Sequence, residues 1–95
     1  MIVLFHKKFQ KNIAKINNKN LYAKIKEEVD LVIKDTSRGK LLEHPFRKHH
    51  IQSIGFVYDN NSFRIAYTLD KASDKLVFLL IDARENFYSK LERIL

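Results

Sequence analysis

The sequence predicts an α+β fold in two layers: an N-terminal strand and a helical hairpin packed on an antiparallel β-meander, followed by a short C-terminal helix. Three observations carry this. Leu76-Val77-Phe78-Leu79-Leu80-Ile81 is the one long uninterrupted apolar run, and a short run rich in branched and aromatic residues reads as a buried strand. Phe63 to Leu69 alternates cleanly, with Phe63, Ile65, Tyr67 and Leu69 on one face and Arg64, Ala66 and Thr68 on the other. Upstream, Phe9, Ile13 and Ile16, then Leu21, Ile25, Val29 and Val32, recur at helical spacing.

Taken in order, Met1-Ile2-Val3-Leu4-Phe5 reads as an edge strand. It has no preceding basic segment and meets charge at Lys7, unlike a signal peptide. The first helix carries Phe9, Ile13 and Ile16 toward the core and Lys8, Lys11 and Lys15 on other faces. Asn17-Asn18-Lys19-Asn20 punctuates, and Asn20 is the expected N-cap of a second helix that ends around Lys34-Asp35. Lys24 and Glu28 are spaced on it as an i,i+4 pair. Thr36-Ser37-Arg38-Gly39 breaks the helix, and Lys40 to His50 is expected to be a connector, since Pro45 forbids a continuous helix there.

Ile51 to Tyr58 follows as a strand of imperfect alternation. Asp59-Asn60-Asn61-Ser62 is strong turn chemistry, because Asn and Asp tolerate positive φ. Asp70 to Lys75 makes a second turn before the apolar strand. From Asp82 the chain turns polar and helical, with Leu91, Ile94 and Leu95 expected to dock the tail. Strands joined by short turns imply an antiparallel meander.

Ninety-five residues fit a single domain, 1–95, because two separate cores would each be too small to stabilise themselves. A content of 45% hydrophobic and 31% charged residues belongs to a globular chain rather than a disordered one. The absence of cysteine excludes a disulfide framework and thiolate metal sites, and is compatible with the expected location, the cytoplasm. No stretch approaches the ~20 apolar residues that span a bilayer, so no membrane partner is expected. Eighteen Lys and Arg against 11 Asp and Glu give a net charge of +7, an excess that favours nucleic acid or an acidic protein as partner.

Several side chains are candidates for chemistry. Arg64 alternates with the small residues Ala66 and Thr68 on the face opposite the apolar set, the floor of a shallow anion site or an ordinary solvated strand face. Arg84 leaves the next strand, where an antiparallel neighbour brings it toward Arg64; its alternative is an ion pair with Asp82 or Glu85. Two guanidiniums converging on one spot suit a phosphate, since each donates parallel hydrogen bonds. Tyr88, four residues after Arg84, shares its face if the segment is helical, and can stack on a base, exchange protons or simply pack. Arg47-Lys48-His49-His50 sets four basic side chains in a row. Adjacent histidines on an extended chain point oppositely and lack further ligands at metal spacing, so phosphate binding, or a histidine acting as base, fits better than a metal. Lys8, Lys11 and Lys15 form a solvated face able to steer the chain to a polyanion.

Leu42-Glu43-His44-Pro45-Phe46-Arg47-Lys48-His49, Phe63-Arg64-Ile65-Ala66-Tyr67 and Ala83-Arg84-Glu85-Asn86-Phe87-Tyr88, in this order and spacing, resemble the RelE/ParE toxin superfamily, and most closely the RelE-like mRNA interferases. The resemblance covers nearly the whole chain. It implies a compact α+β toxin without cofactor, restrained by an acidic antitoxin encoded beside it and touching operator DNA only through that complex. RelE-like members act on mRNA in the ribosomal A site, where they cut by attack of the ribose 2′-hydroxyl. On this chain the resemblance places the catalytic arginines at Arg64 and Arg84 and the tyrosine at Tyr88. Arg47, Lys48, Lys8, Lys11 and Lys15 then contribute RNA binding. RelE-like nucleases commonly carry Lys or Arg in the first meander strand, where this chain has Gln52, Ser53 and Gly55. The base or its electrostatic support is therefore expected from Lys48, His49 or His50. ParE-like relatives share the fold and poison DNA gyrase, the alternative activity.

Overall fold

The computed structural model describes residues 1–95. Its elements are β1 (Ile2–Phe5), α1 (Lys7–Ala14), α2 (Lys19–Lys34), β2 (Lys40–Leu41), a 3-10 turn (Arg47–His49), β3 (Ile51–Tyr58), β4 (Asn61–Asp70), β5 (Lys75–Ala83) and α3 (Arg84–Ile94). The five strands form one sheet in the order β1-β5-β4-β3-β2. β3, β4 and β5 make the expected antiparallel meander, and β1 closes one edge, parallel to β5, with Ile2 opposite Lys75 and Phe5 opposite Phe78.

Local chemistry explains the joints. Asp59 (φ 50°) and Asn60 (φ 64°) form the two-residue turn of the β3–β4 hairpin, and both sit in the left-handed region that a type I′ turn requires. At the next turn, Asp70 Oδ1 accepts hydrogen bonds from the N–H groups of Ala72 (3.1 Å) and Ser73 (3.3 Å). The N-cap of α2 is Asn18 rather than Asn20: its Oδ1 accepts from the N–H groups of Asn20 (2.9 Å) and Leu21 (3.1 Å), starting the helix two residues before the apolar stripe. Glu28 does not pair with Lys24, which meets Glu27 at 3.7 Å. Glu28 is buried, on the face that Ile25, Val29 and Val32 also occupy, and lies 3.5 Å from Arg38.

The sheet is covered on both faces. α1 and α2 bury Phe9, Ile25, Val29 and Val32 against Ile54, Phe56, Ile65, Tyr67, Leu76, Phe78 and Ile81. α3 lies on the other face, where Phe87 and Leu91 meet Ile51, Ala66, Leu79 and Leu80 together with Leu42 and Phe46 of the connector. The register slips between Ala66 and Tyr67, which face Leu80 and Phe78, so Leu79 is an unpaired extra residue. This bulge puts the consecutive Leu79 and Leu80 into the same core, which is why the strand reads as a solid apolar run. Leu91 is fully buried and Ile94 packs against the same cluster, but Leu95 is exposed and does not dock.

The connector is not wholly irregular. Lys40 and Leu41 pair with Ser53 and Gln52 and give the sheet its second edge. What holds them is Tyr67, fully buried in β4, whose Oη donates to Thr36 O (2.8 Å) and accepts from Gly39 N (2.7 Å). The Gln52 side chain, its amide nitrogen turned toward these oxygens, donates to Gly39 O (3.0 Å), Tyr67 Oη (3.1 Å) and Thr36 O (3.3 Å). Gly39 is the residue that lets the backbone come so close: a Cβ there would lie 2.7 Å from Tyr67 Cε1 and 2.8 Å from Cζ.

Candidate functional site

Arg64 stands half-buried on the sheet face away from α1 and α2, directly opposite Gly55 on β3 and Asp82 on β5. Its Nη1 donates to Oγ of the buried Ser53 at 3.1 Å. Asp82 is engaged elsewhere: Oδ2 lies 2.6 Å from Lys90 Nζ and Oδ1 accepts from Ala83 N at 2.7 Å. Arg64 therefore has no carboxylate partner. Beside it opens a cleft of about 460 Å³ lined among others by Lys40, His44, Phe46, Ser53 and Tyr88. A half-buried, unpaired guanidinium at the wall of a cleft is poised for an anion.

Tyr88 reaches this cleft because of its neighbour. Phe87 is fully buried and anchors α3, so the next residue falls at the rim, exposed, with its ring 5.0 Å from Phe87 (edge-on, 84°) and 6.2 Å from Phe46. Arg84 opens α3 one turn before Tyr88, as the spacing predicts, and is exposed and pairs with neither Asp82 nor Glu85. It does not line the cleft, since it lies beyond Ala83, one pair further along than Arg64 and Asp82.

The basic row upstream of β3 sits outside the cleft. Arg47 pairs with Glu43 at 3.4 Å, both side chains exposed, and Lys48 is exposed on the 3-10 turn. His49 and His50 are exposed, and what they contribute is backbone: both carbonyls accept from Thr68 Oγ1 (3.1 and 3.2 Å), and His50 ends the turn in the left-handed region (φ 56°, ψ 36°). Lys8 and Lys11 belong to α1 and Lys15 caps its C-terminus, on the opposite side of the sheet from Arg64. Of the residues picked from sequence, the cleft unites Arg64 and Tyr88; Lys40, His44 and Ser53 join them unforeseen. The alternation of β4 identified Arg64, whereas a two-residue strand leaves no periodicity from which to find Lys40. No three or more His, Asp and Glu side chains gather in a metal-holding group.

A second concavity, of about 1010 Å³, lies on the helical side between β1, α1 and α2. Val3, Phe9, Ile13, Ile25, Val29 and Ile33 line it. Ile2, Leu4, Phe5 and Tyr22 are each more than 40% exposed, and the outer edge of β1 has no strand partner. The groove thus combines an apolar lining with an unpaired strand edge, two features by which interaction surfaces are recognised. No helix is long and apolar enough to cross a membrane.

With this geometry in view, the kinship of the chain is clear. Residues 3–92 match the family described as ParE-like toxin of type II bacterial toxin–antitoxin systems. No protein of curated function matches in sequence. Among solved structures, a mutant of the E. coli toxin RelE in the free state is similar with a TM-score of 0.71 at 15% identity, covering 99% of this chain and 97% of that one. The isolated E. coli RelE toxin gives 0.67 at 15% identity over 99% and 98% of the two chains. The toxin–antitoxin complex RelBE2 from Mycobacterium tuberculosis gives 0.65 at 20% identity over 87% and 90%. At these identities the likeness is one of fold. The chain belongs to the ParE-like toxin family of type II bacterial toxin–antitoxin systems, within the RelE/ParE superfamily.

Proposed function

We propose that this toxin is a ribosome-dependent mRNA endonuclease of the RelE kind, acting in the cytoplasm as the single unit 1–95 and needing no cofactor. The observation that carries the reading is Arg64: half-buried, without a carboxylate partner, and in one cleft with Tyr88. Cleavage by the ribose 2′-hydroxyl forms the bond from the 2′-oxygen to phosphorus and breaks the bond to the 5′-oxygen. It needs a base for the 2′ proton, an acid for the 5′-oxygen, and stabilisation of the extra charge on the phosphoryl oxygens. Arg64 supplies the stabilisation. Tyr88, with its ring against Phe46, stacks on a base or hands a proton to the leaving oxygen. His44 is the histidine that lines the cleft, next to Glu43, and it takes the role the sequence suggested for His49 and His50.

The apolar groove and the free edge of β1 are the surface offered to an acidic antitoxin, a partner supported by the RelBE2 complex. Contact with operator DNA comes through that complex alone. The test of the nuclease reading is expression of the toxin with mapping of transcript ends. New ends inside codons are expected, and they disappear with Arg64→Ala. A gyrase-poison reading is favoured by two observations: Gln52, Ser53 and Gly55 leave β3 without a cation, and the matching family is described as ParE-like. Under that reading expression induces a DNA-damage response and leaves transcripts intact.

A further inference from the structure

We infer that Lys40, delivered by β2, is the second cation of the cleft and holds the reacting phosphate together with Arg64. The inference rests on the nuclease reading above and locates the missing basic partner outside the row Arg47 to His50.

The register makes the argument. Lys40 is directly opposite Ser53 across β2–β3, and Ser53 is directly opposite Ala66 across β3–β4. Directly opposed residues project to the same face, with Cβ atoms about 5 Å apart. Lys40 and Arg64 thus flank Ser53 on one face, and Ser53 Oγ is already the acceptor for Arg64 Nη1 at 3.1 Å. Between them stand only small residues, Gly55 and the buried Ser53. Gly55, opposite Arg64, leaves its guanidinium uncovered, and a Cβ there would only just reach it, at 3.8 Å. Small residues at 53 and 55 are what allow a long side chain from the neighbouring strand to reach the same spot.

Neither cation is neutralised. Lys40 has no ion pair; Glu43, which also lines the cleft, pairs with Arg47 on its exposed side, and Asp82 pairs with Lys90. The backbone that carries Lys40 is fixed by the hydrogen bonds of Gly39 to Tyr67 and Gln52. The strand that presents the ammonium to the cleft is therefore anchored rather than part of a loose connector. It takes no proton in the reaction: as the 2′-oxygen bonds to phosphorus and the 5′-oxygen departs, it counters charge on the non-bridging oxygens.

The test is the single-turnover cleavage rate of mRNA on programmed ribosomes with the full chain. The variants are Arg64→Ala, Lys40→Ala, Lys40→Arg and, as a distant exposed cation, Lys34→Ala. Loss of one preorganised charge donor lowers such rates by roughly 10²-fold or more, and this is expected of both Arg64→Ala and Lys40→Ala. Lys40→Arg retains most of the rate, Lys34→Ala all of it, and every melting temperature stays near wild type. If Arg64→Ala is inactive while Lys40→Ala loses less than about tenfold, the role of Lys40 is overturned and the nuclease reading stands. If Lys34→Ala falls as far as Lys40→Ala, overall charge is acting and the assignment is equally overturned. If the wild-type chain cuts nothing, the nuclease reading fails and the role of Lys40 with it.

Discussion

Lys90 Nζ lies 2.6 Å from Asp82 Oδ2 and so takes up the carboxylate that the strand register sets directly beside Arg64. Without Lys90, the closest partner for the Arg64 guanidinium is its own neighbour on β5. The ion pair between α3 and the sheet therefore leaves the Arg64 guanidinium without a carboxylate partner, whatever it adds to stability.

Lys90→Ala is expected to free Asp82 for Arg64 and to weaken the site without touching it. The loss should be about 1–2 kcal/mol, or five- to thirtyfold in cleavage rate or RNA affinity. Lys90→Ala combined with Asp82→Asn should recover most of it, since the competing charge is then gone. A double-mutant cycle on transcript cleavage measures this coupling.

Gly39→Ala is expected to destabilise the fold by about 1–3 kcal/mol, because the added methyl meets the ring of a tyrosine that has nowhere to go. For a chain of this size each kcal/mol lowers the melting temperature by roughly 4–8 °C. Tyr67→Phe should cost a similar amount by leaving the Gly39 N–H without its acceptor. Thermal melts of the two variants check both.

Alkaline stability should follow Tyr67. Removal from water pushes its phenol above the ordinary value of 10.0, against a smaller opposing effect of the Gly39 N–H. The folded form holds the proton more tightly than the unfolded one, so the contribution is complete below pH 10 and is lost as pH rises through the folded value. Urea midpoints measured from pH 9 to 11 should fall for wild type beyond the fall seen in Tyr67→Phe.

The last helix separates into a buried and an idle part. Leu91→Ala is expected to cost about 2–5 kcal/mol, since the side chain is fully enclosed under α3. Leu95→Ala should change stability by less than about 0.5 kcal/mol. Denaturant titration distinguishes them, and loss of transcript cleavage should accompany Leu91→Ala alone, because Tyr88 is carried by the same helix.

Much of this architecture was legible in the sequence for definite reasons. The turn at Asp59-Asn60 declares itself because few residues other than Asn, Asp and Gly accept two successive positive φ values. Arg64 declares itself because a clean period of two fixes which face it occupies. Lys40 was hidden because β2 is too short to show a pattern and exists through the Tyr67–Gly39–Gln52 contacts, which link residues far apart in sequence. Glu28 looked like a surface partner of Lys24 because spacing on a helix does not reveal which side meets the sheet. The side of the sheet taken by α3 was likewise beyond sequence periodicity: it depends on the β5 bulge and on the connector that supplies Phe46 and Leu42.

The parallel pairing of β1 with β5 has a consequence in time. Chains are made from the N-terminus, yet Ile2 to Phe5 find their hydrogen-bonding partners only at residues 75 to 78. Contacts of such separation are the slow ones to form, and the sheet cannot close until most of the chain has been synthesised. Until then the first strand waits without its partner on β5. For that interval both edges of Ile2 to Phe5 are open to a partner that arrives early, where the folded sheet leaves only the outer one.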